Sequence, residues 1–70
     1  MTFNDMLTAD PAKLSAHYRD CRSLAYNNGR IAQHTAPKSR GRRRLANSMG
    51  YLMRQIEMAE RAADRRGINL

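Results

Sequence analysis

Leu45-Ala46-Asn47-Ser48-Met49-Gly50-Tyr51-Leu52-Met53-Arg54-Gln55-Ile56-Glu57-Met58-Ala59-Glu60-Arg61-Ala62-Ala63 is the stretch whose reading decides the fold. Leu45, Met49, Leu52, Ile56, Ala59 and Ala63 recur within it at four-three-four-three-four spacing. That is a heptad-like seam sustained for about five turns, and it predicts a long helix with one narrow apolar stripe. Tyr51 and Met53 fall off the seam, and Arg54 and Arg61 fall on more exposed faces. Gly50 stands one position from the seam. It costs about 1 kcal/mol of helix propensity relative to Ala, which predicts a close helix crossing or a kink there. Arg65 and Arg66 suit a last turn, Gly67 suits the left-handed position beyond it, and Ile68 is placed for a Schellman contact. The predicted helix spans Arg42–Arg66.

A stripe needs a partner, and the sequence upstream supplies one. Asp10 can cap a helix with Pro11 at its first position. Leu14, Tyr18, Cys21 and Ala25 then follow at four-three-four spacing, flanked by His17 and Leu24. Asn27-Asn28-Gly29 is expected to end or distort this helix, because Asn and Gly tolerate the left-handed conformation of a C-terminus. The expected span is Pro11–Tyr26, with a resumed turn over Arg30 to His34 left open. Ala36-Pro37 forces an extended residue and marks the connection. At the other end, Thr2 and Asp5 have capping-box spacing, and Phe3, Met6 and Leu7 form one apolar side of a helical turn. That turn is expected to pack on the body, with docking into a partner as the other reading. The fold expectation is all-α: a small antiparallel helical hairpin with a short N-terminal helical turn, one domain over residues 1–70, with a basic connection over 35–44.

Seventy residues and a net charge of +7 bound the function. A chain of this size buries only about 60% of its unfolded-chain surface, so a fully enclosed cleft is not expected. The single cysteine, Cys21, lies in the apolar register and predicts a buried thiol in a reducing compartment. The start of the sequence lacks the pattern of a signal peptide, and no stretch approaches transmembrane length, so a cytoplasmic location without membrane partners is expected. The five methionines read as core filler, with Met6 and Met53 suited also to an adaptable surface. No Ser, Cys or His constellation of catalytic type is present, nor a phosphate-cradling glycine loop or zinc spacing. His17 and Cys21 are four apart, but two ligands do not make a metal site. Glu57, Glu60 and Asp64 read as solubilising charge. The expectation is therefore no enzyme, no metal, no cofactor and no small-molecule substrate.

The charge is concentrated. Lys38, Arg40, Arg42, Arg43 and Arg44 fall within seven residues, and no Asp or Glu occurs between Cys21 and Ile56. Arg22, Arg30 and Arg54 complete eight cations in that acid-free window. Such a set repels itself and is expected to meet a polyanion or an acidic protein surface. Arginine outnumbers lysine eleven to two over the chain. Its planar fork matches phosphate and carboxylate, where lysine offers a hydrated point charge. Lys38, Arg40, Arg42, Arg43 and Arg44, with Arg30 and Arg54, form the candidate binding set; Phe3, Met6 and Leu7 form a second, partner-docking candidate. A membrane-active amphipathic helix is disfavoured because the apolar seam is needed for the hairpin core.

Three resemblances bear on the partner. Lys38 to Arg44, running into a helix, resembles the arginine-rich motif with which N-type phage antiterminators grip RNA hairpins. His34 to Met58 resembles the S15 family of small-subunit ribosomal proteins, with Arg42, Arg43, Leu45, Met49-Gly50, Arg54 and Ile56 in the matching places. The chain from Met1-Thr2-Phe3-Asn4-Asp5-Met6-Leu7 through Arg42-Arg43-Arg44 resembles the small transcription regulators of Xanthomonas bacteriophages. This last resemblance implies binding to host RNA polymerase, inhibition of initiation by interference with the sigma factor, and antitermination. Nascent RNA near the polymerase exit region is then a further partner. The alternative is a stand-alone arginine-rich or S15-like RNA-binding protein.

Overall fold

The computed structural model describes all residues, Met1–Leu70, and contains three helices and no strand. Helix α1 spans Phe3–Thr8, α2 spans Pro11–Gln33, and α3 spans Arg40–Arg66. The two long helices pack as an antiparallel hairpin, and α1 packs on α3, in a body of 42 × 17 × 15 Å. The all-α hairpin with a short N-terminal helix is therefore the observed architecture.

The caps form as their sequences dictate. The Asp5 backbone N–H donates to Thr2 Oγ1 at 3.1 Å, and the Thr2 N–H donates to the Asp5 carboxylate at 3.2 Å. These reciprocal bonds satisfy two helix-end donors, and the Thr2 backbone N–H, with the Thr2 hydroxyl, holds the Asp5 carboxyl below its ordinary range. Asp10 Oδ1 accepts from the Ala12 N–H at 2.9 Å, with Pro11 at the first position of α2. At the end of α3, Gly67 adopts φ 67°. The Ile68 N–H reaches the Ala63 carbonyl at 2.8 Å and the Gly67 N–H reaches that of Asp64 at 3.3 Å, which is a Schellman motif.

Three expectations need correction. Helix α2 does not stop near Tyr26 but runs on through Asn27-Asn28-Gly29 to Gln33. Its seam continues at the same spacing, with Ala25, Asn28 and Ala32 all half-buried. Packing along that seam outweighs a propensity cost of about 1 kcal/mol at Gly29. Helix α3 starts at Arg40, two residues early, because the Ser39 hydroxyl caps it by accepting from the Arg42 N–H at 3.1 Å. The connection is thus only His34–Ser39, and Arg40 to Arg44 are helical. Lys38 alone among non-glycine residues has positive φ, 65°, as the chain reverses. Finally, Gly50 lies at no close crossing: a Cβ there would meet nothing within 4 Å.

Burial is uneven along the hairpin. Met6 and Leu14 are fully buried with Ala59, Ala62 and Ala63, and Phe3, Leu7, Tyr18, Met58 and Ile68 pack around them. A second cluster joins Cys21, Leu52 and Ile56. Beyond it, toward the connecting turn, no side chain is fully buried, and Leu45 and Met49 are half-buried. The alanine-rich seam of α3 lets α1 lie close, and this third layer completes burial at one end only.

Candidate nucleic-acid or acidic-protein interface

The helical start of α3 determines how the basic residues are displayed. At 3.6 residues per turn, Arg40, Arg43, Asn47 and Arg54 fall along the face opposite the seam of Leu45, Leu52 and Ile56. Arg61 and Arg65 continue this line at the same spacing, and all four of Arg40, Arg43, Arg54 and Arg61 are exposed. The run from Arg40 to Arg65 covers about 38 Å at 1.5 Å per residue. Over its first half no acid interrupts it; Glu57 and Asp64 flank the second half.

The other members of the expected set go elsewhere. Arg42 points to α2: its Nη1 donates to the Ala32 carbonyl at 2.6 Å and to that of Thr35 at 3.2 Å. It adds a side-chain donor to the Ala32 carbonyl, which also accepts from the Thr35 N–H at 3.3 Å, and supplies one to the Thr35 carbonyl in the connection, which makes it a structural cap. The Thr35 hydroxyl performs the same service for Ile31 at 2.8 Å. Arg44 flanks the α1 side of α3, and Lys38 sits in the turn, lining a shallow depression with Ser39, Arg42, Arg43 and Ala46. Arg30 lies on the outward face of α2 beside Asn27, Ile31 and His34, away from the arginine line of α3. Neighbours in the chain are thus not neighbours in space. The fold regroups them into the Arg40–Arg43–Arg54 line, the capping Arg42, and an isolated Arg30.

Phe3, Met6 and Leu7 are committed to the body. Met6 is 0% exposed and Phe3 and Leu7 are half-buried, so packing is the observed role of this turn. Arg66 Nη1 donates to the Met6 carbonyl at 2.8 Å, and the Arg65 guanidinium stands 5.7 Å from the Phe3 ring centroid. These two arginines anchor α1.

A polar junction that the seam pattern did not reveal lies at the start of α1. Gln55 is buried, and its Oε1 accepts from the Met1 amine at 3.2 Å and lies 2.8 Å from His17 Nε2. Its Nε2 donates to the Met1 carbonyl at 2.9 Å. The Cys21 sulfur lies 3.6 Å from the same His17 nitrogen, and burial pushes its thiol above the ordinary value. A buried amide with every group paired fixes register where apolar contacts would slide. Tyr18 adds a bond across the seam, donating to Glu60 at 3.2 Å, so Glu60 is more than a solubilising charge.

The surface offers shallow depressions rather than clefts. The largest, about 500 Å³, is lined by Arg19, Arg22, Ser23, Tyr26 and Asn27, all on α2. No helix is long and apolar enough to cross a membrane. No family model, curated protein or solved structure matches this chain.

Proposed function

We propose that this chain is a phage-encoded, non-enzymatic regulator that binds host RNA polymerase, inhibits initiation through interference with the sigma factor, and acts as an antiterminator near the RNA exit region. The observation that supports the reading is the exposed line of Arg40, Arg43 and Arg54 on a long helix, within the stretch from Arg22 to Gln55 that holds no carboxylate. Such a face is suited to a surface where acidic protein and nascent RNA adjoin. The resemblance of Met1 to Leu7 and of Arg42 to Arg44 to small phage transcription regulators supports the choice of polymerase as partner.

The test is a promoter-initiation and terminator read-through assay on purified polymerase. Arg40→Ala, Arg43→Ala and Arg54→Ala are combined, leaving the capping Arg42 in place. The helix should persist, since alanine is the better helix former. Regulation should fall, and polymerase binding should weaken even after nuclease treatment. A stand-alone RNA-binding protein would instead bind a bare RNA hairpin without polymerase. Its salt dependence would become shallower in the variant, by about 0.7 log–log units for each single-strand phosphate that is no longer neutralised. Equal regulation by parent and variant would refute the proposal.

A further inference from the structure

Tyr26 is the most exposed of the large apolar side chains, at 68%, and it stands on α2 away from the seam of Leu14, Cys21 and Ala32. Packing against α3 therefore gives no account of it. Arg19 and Arg22 lie seven and four residues before Tyr26, and Arg30 lies four after it, so all three share its face. All are exposed. Arg19, Arg22 and Tyr26 line the depression of about 500 Å³ with Ser23 and Asn27. Asn27 also lines the next depression along the helix, where Arg30 and His34 stand. Arg30, set apart from the α3 line, thus ends a track that runs about 17 Å from Arg19 along the outer side of α2. The Arg22 guanidinium stands 5.6 Å from the Tyr18 ring centroid, which fixes one edge of the track.

We propose that this face of α2 binds single-stranded nucleic acid, with an unpaired base stacked on the Tyr26 ring and the phosphates met by Arg19, Arg22 and Arg30. An exposed ring among arginines suits that ligand, because every base has a π face and every nucleotide link carries a phosphate. Ser23 and Asn27 add hydrogen-bonding groups for base edges or sugar hydroxyls. An acidic protein helix is held by a row of apolar anchors, whereas this track carries only Tyr26 and, toward one end, Ile31. Carboxylates are few. Asp10 caps the start of α2, and Asp20 falls on the Leu24 flank, about 120° round the helix from Tyr26, and lines neither depression. Glu57, Glu60 and Asp64 gather with Arg61 in a depression on α3. The track and the Arg40–Arg43–Arg54 line lie on different helices, so the inference goes beyond the polymerase reading and does not depend on it.

The test is fluorescence anisotropy of labelled 12-nucleotide oligouridylate and oligoadenylate with the full chain, in the absence of polymerase. Tyr26→Ser should weaken binding of each single strand about tenfold, whereas Tyr26→Phe should bind as the parent does. The loss supports the proposal with either sugar, and matching DNA strands tell whether the 2′ hydroxyl is read. Duplexes of the same strands should be indifferent to Tyr26→Ser. Tyr26 is exposed, so the melting temperature of both variants should stay that of the parent. Arg19→Ala with Arg30→Ala should make the log–log salt dependence shallower by about 1.4, at about 0.7 for each phosphate. Combined Arg40→Ala, Arg43→Ala and Arg54→Ala should leave the effect of Tyr26→Ser in place. Equal binding by parent and Tyr26→Ser, or a loss that Tyr26→Phe shares, would overturn the proposal. So would the same loss with duplexes, which offer no unpaired base. Polyglutamate binding that depends on Tyr26 would overturn it as well, by making an acidic protein the occupant.

Discussion

Arg42 Nη1 lies 2.6 Å from the carbonyl oxygen of Ala32, so the first turn of α3 closes the last turn of α2. One member of the arginine run therefore belongs to the scaffold. Arg42→Ala should destabilise the hairpin by about 0.5–1.5 kcal/mol, the net value of an ordinary hydrogen bond, whereas Arg43→Ala should change it by less than about 0.5 kcal/mol. Thermal melts of the two variants check this; equal melting would remove the capping role.

Met6 fills the space between α1 and the alanine seam, and Met6→Ala should cost about 2–5 kcal/mol. In a chain of this size that is a large share of the total stability. Loss of protection at the α1 amides in hydrogen exchange, together with a lowered melting point, is the expected result.

Gly29 and Gly50 both have helical backbones with open space where a Cβ would stand. Gly29→Ala and Gly50→Ala should each stabilise the protein, by about 0.5–1 kcal/mol. Gly67→Ala should do the reverse, because φ of 67° is strained for any residue with a Cβ. Denaturant titrations on the three variants distinguish the signs.

Cys21 should label slowly in the native protein, since its thiol is buried and resists ionisation. The linkage has a definite sign. The folded thiol ionises above its ordinary value of 9.0, so the unfolded chain loses the proton first as pH rises. Stability is undiminished below that value and declines as pH climbs from it through the folded pKa. Comparison with Cys21→Ala, which should lose about 1–2 kcal/mol at neutral pH, isolates this decline.

The sequence by itself determined the elements whose causes are local. The Thr2–Asp5 box, the Asp10-Pro11 start and the Gly67-Ile68 stop each act within one or two turns, the Leu45-to-Ala63 seam is a repeat within one helix, and each forms. Asn27-Asn28-Gly29 misled because propensity is a local quantity. Whether it ends a helix depends on α3 lying alongside to half-bury Asn28, and on Arg42 reaching the far carbonyls. The same holds for the basic residues. Their number and their acid-free surroundings are legible in the chain, but their division among the outer line, the α2 cap and the α1 side of α3 required the helical phase set by Ser39 at the start of α3. That the turn of Phe3, Met6 and Leu7 packs on the body was legible, but the seat of Met6 over Ala59 and Ala62, and the junction by which Gln55 joins Met1 to His17 across separations of 54 and 38 residues, were decided by tertiary contact. A periodic pattern shows which face of a helix must be covered; only the third helix, lying on one end of that face, decides which part stays open.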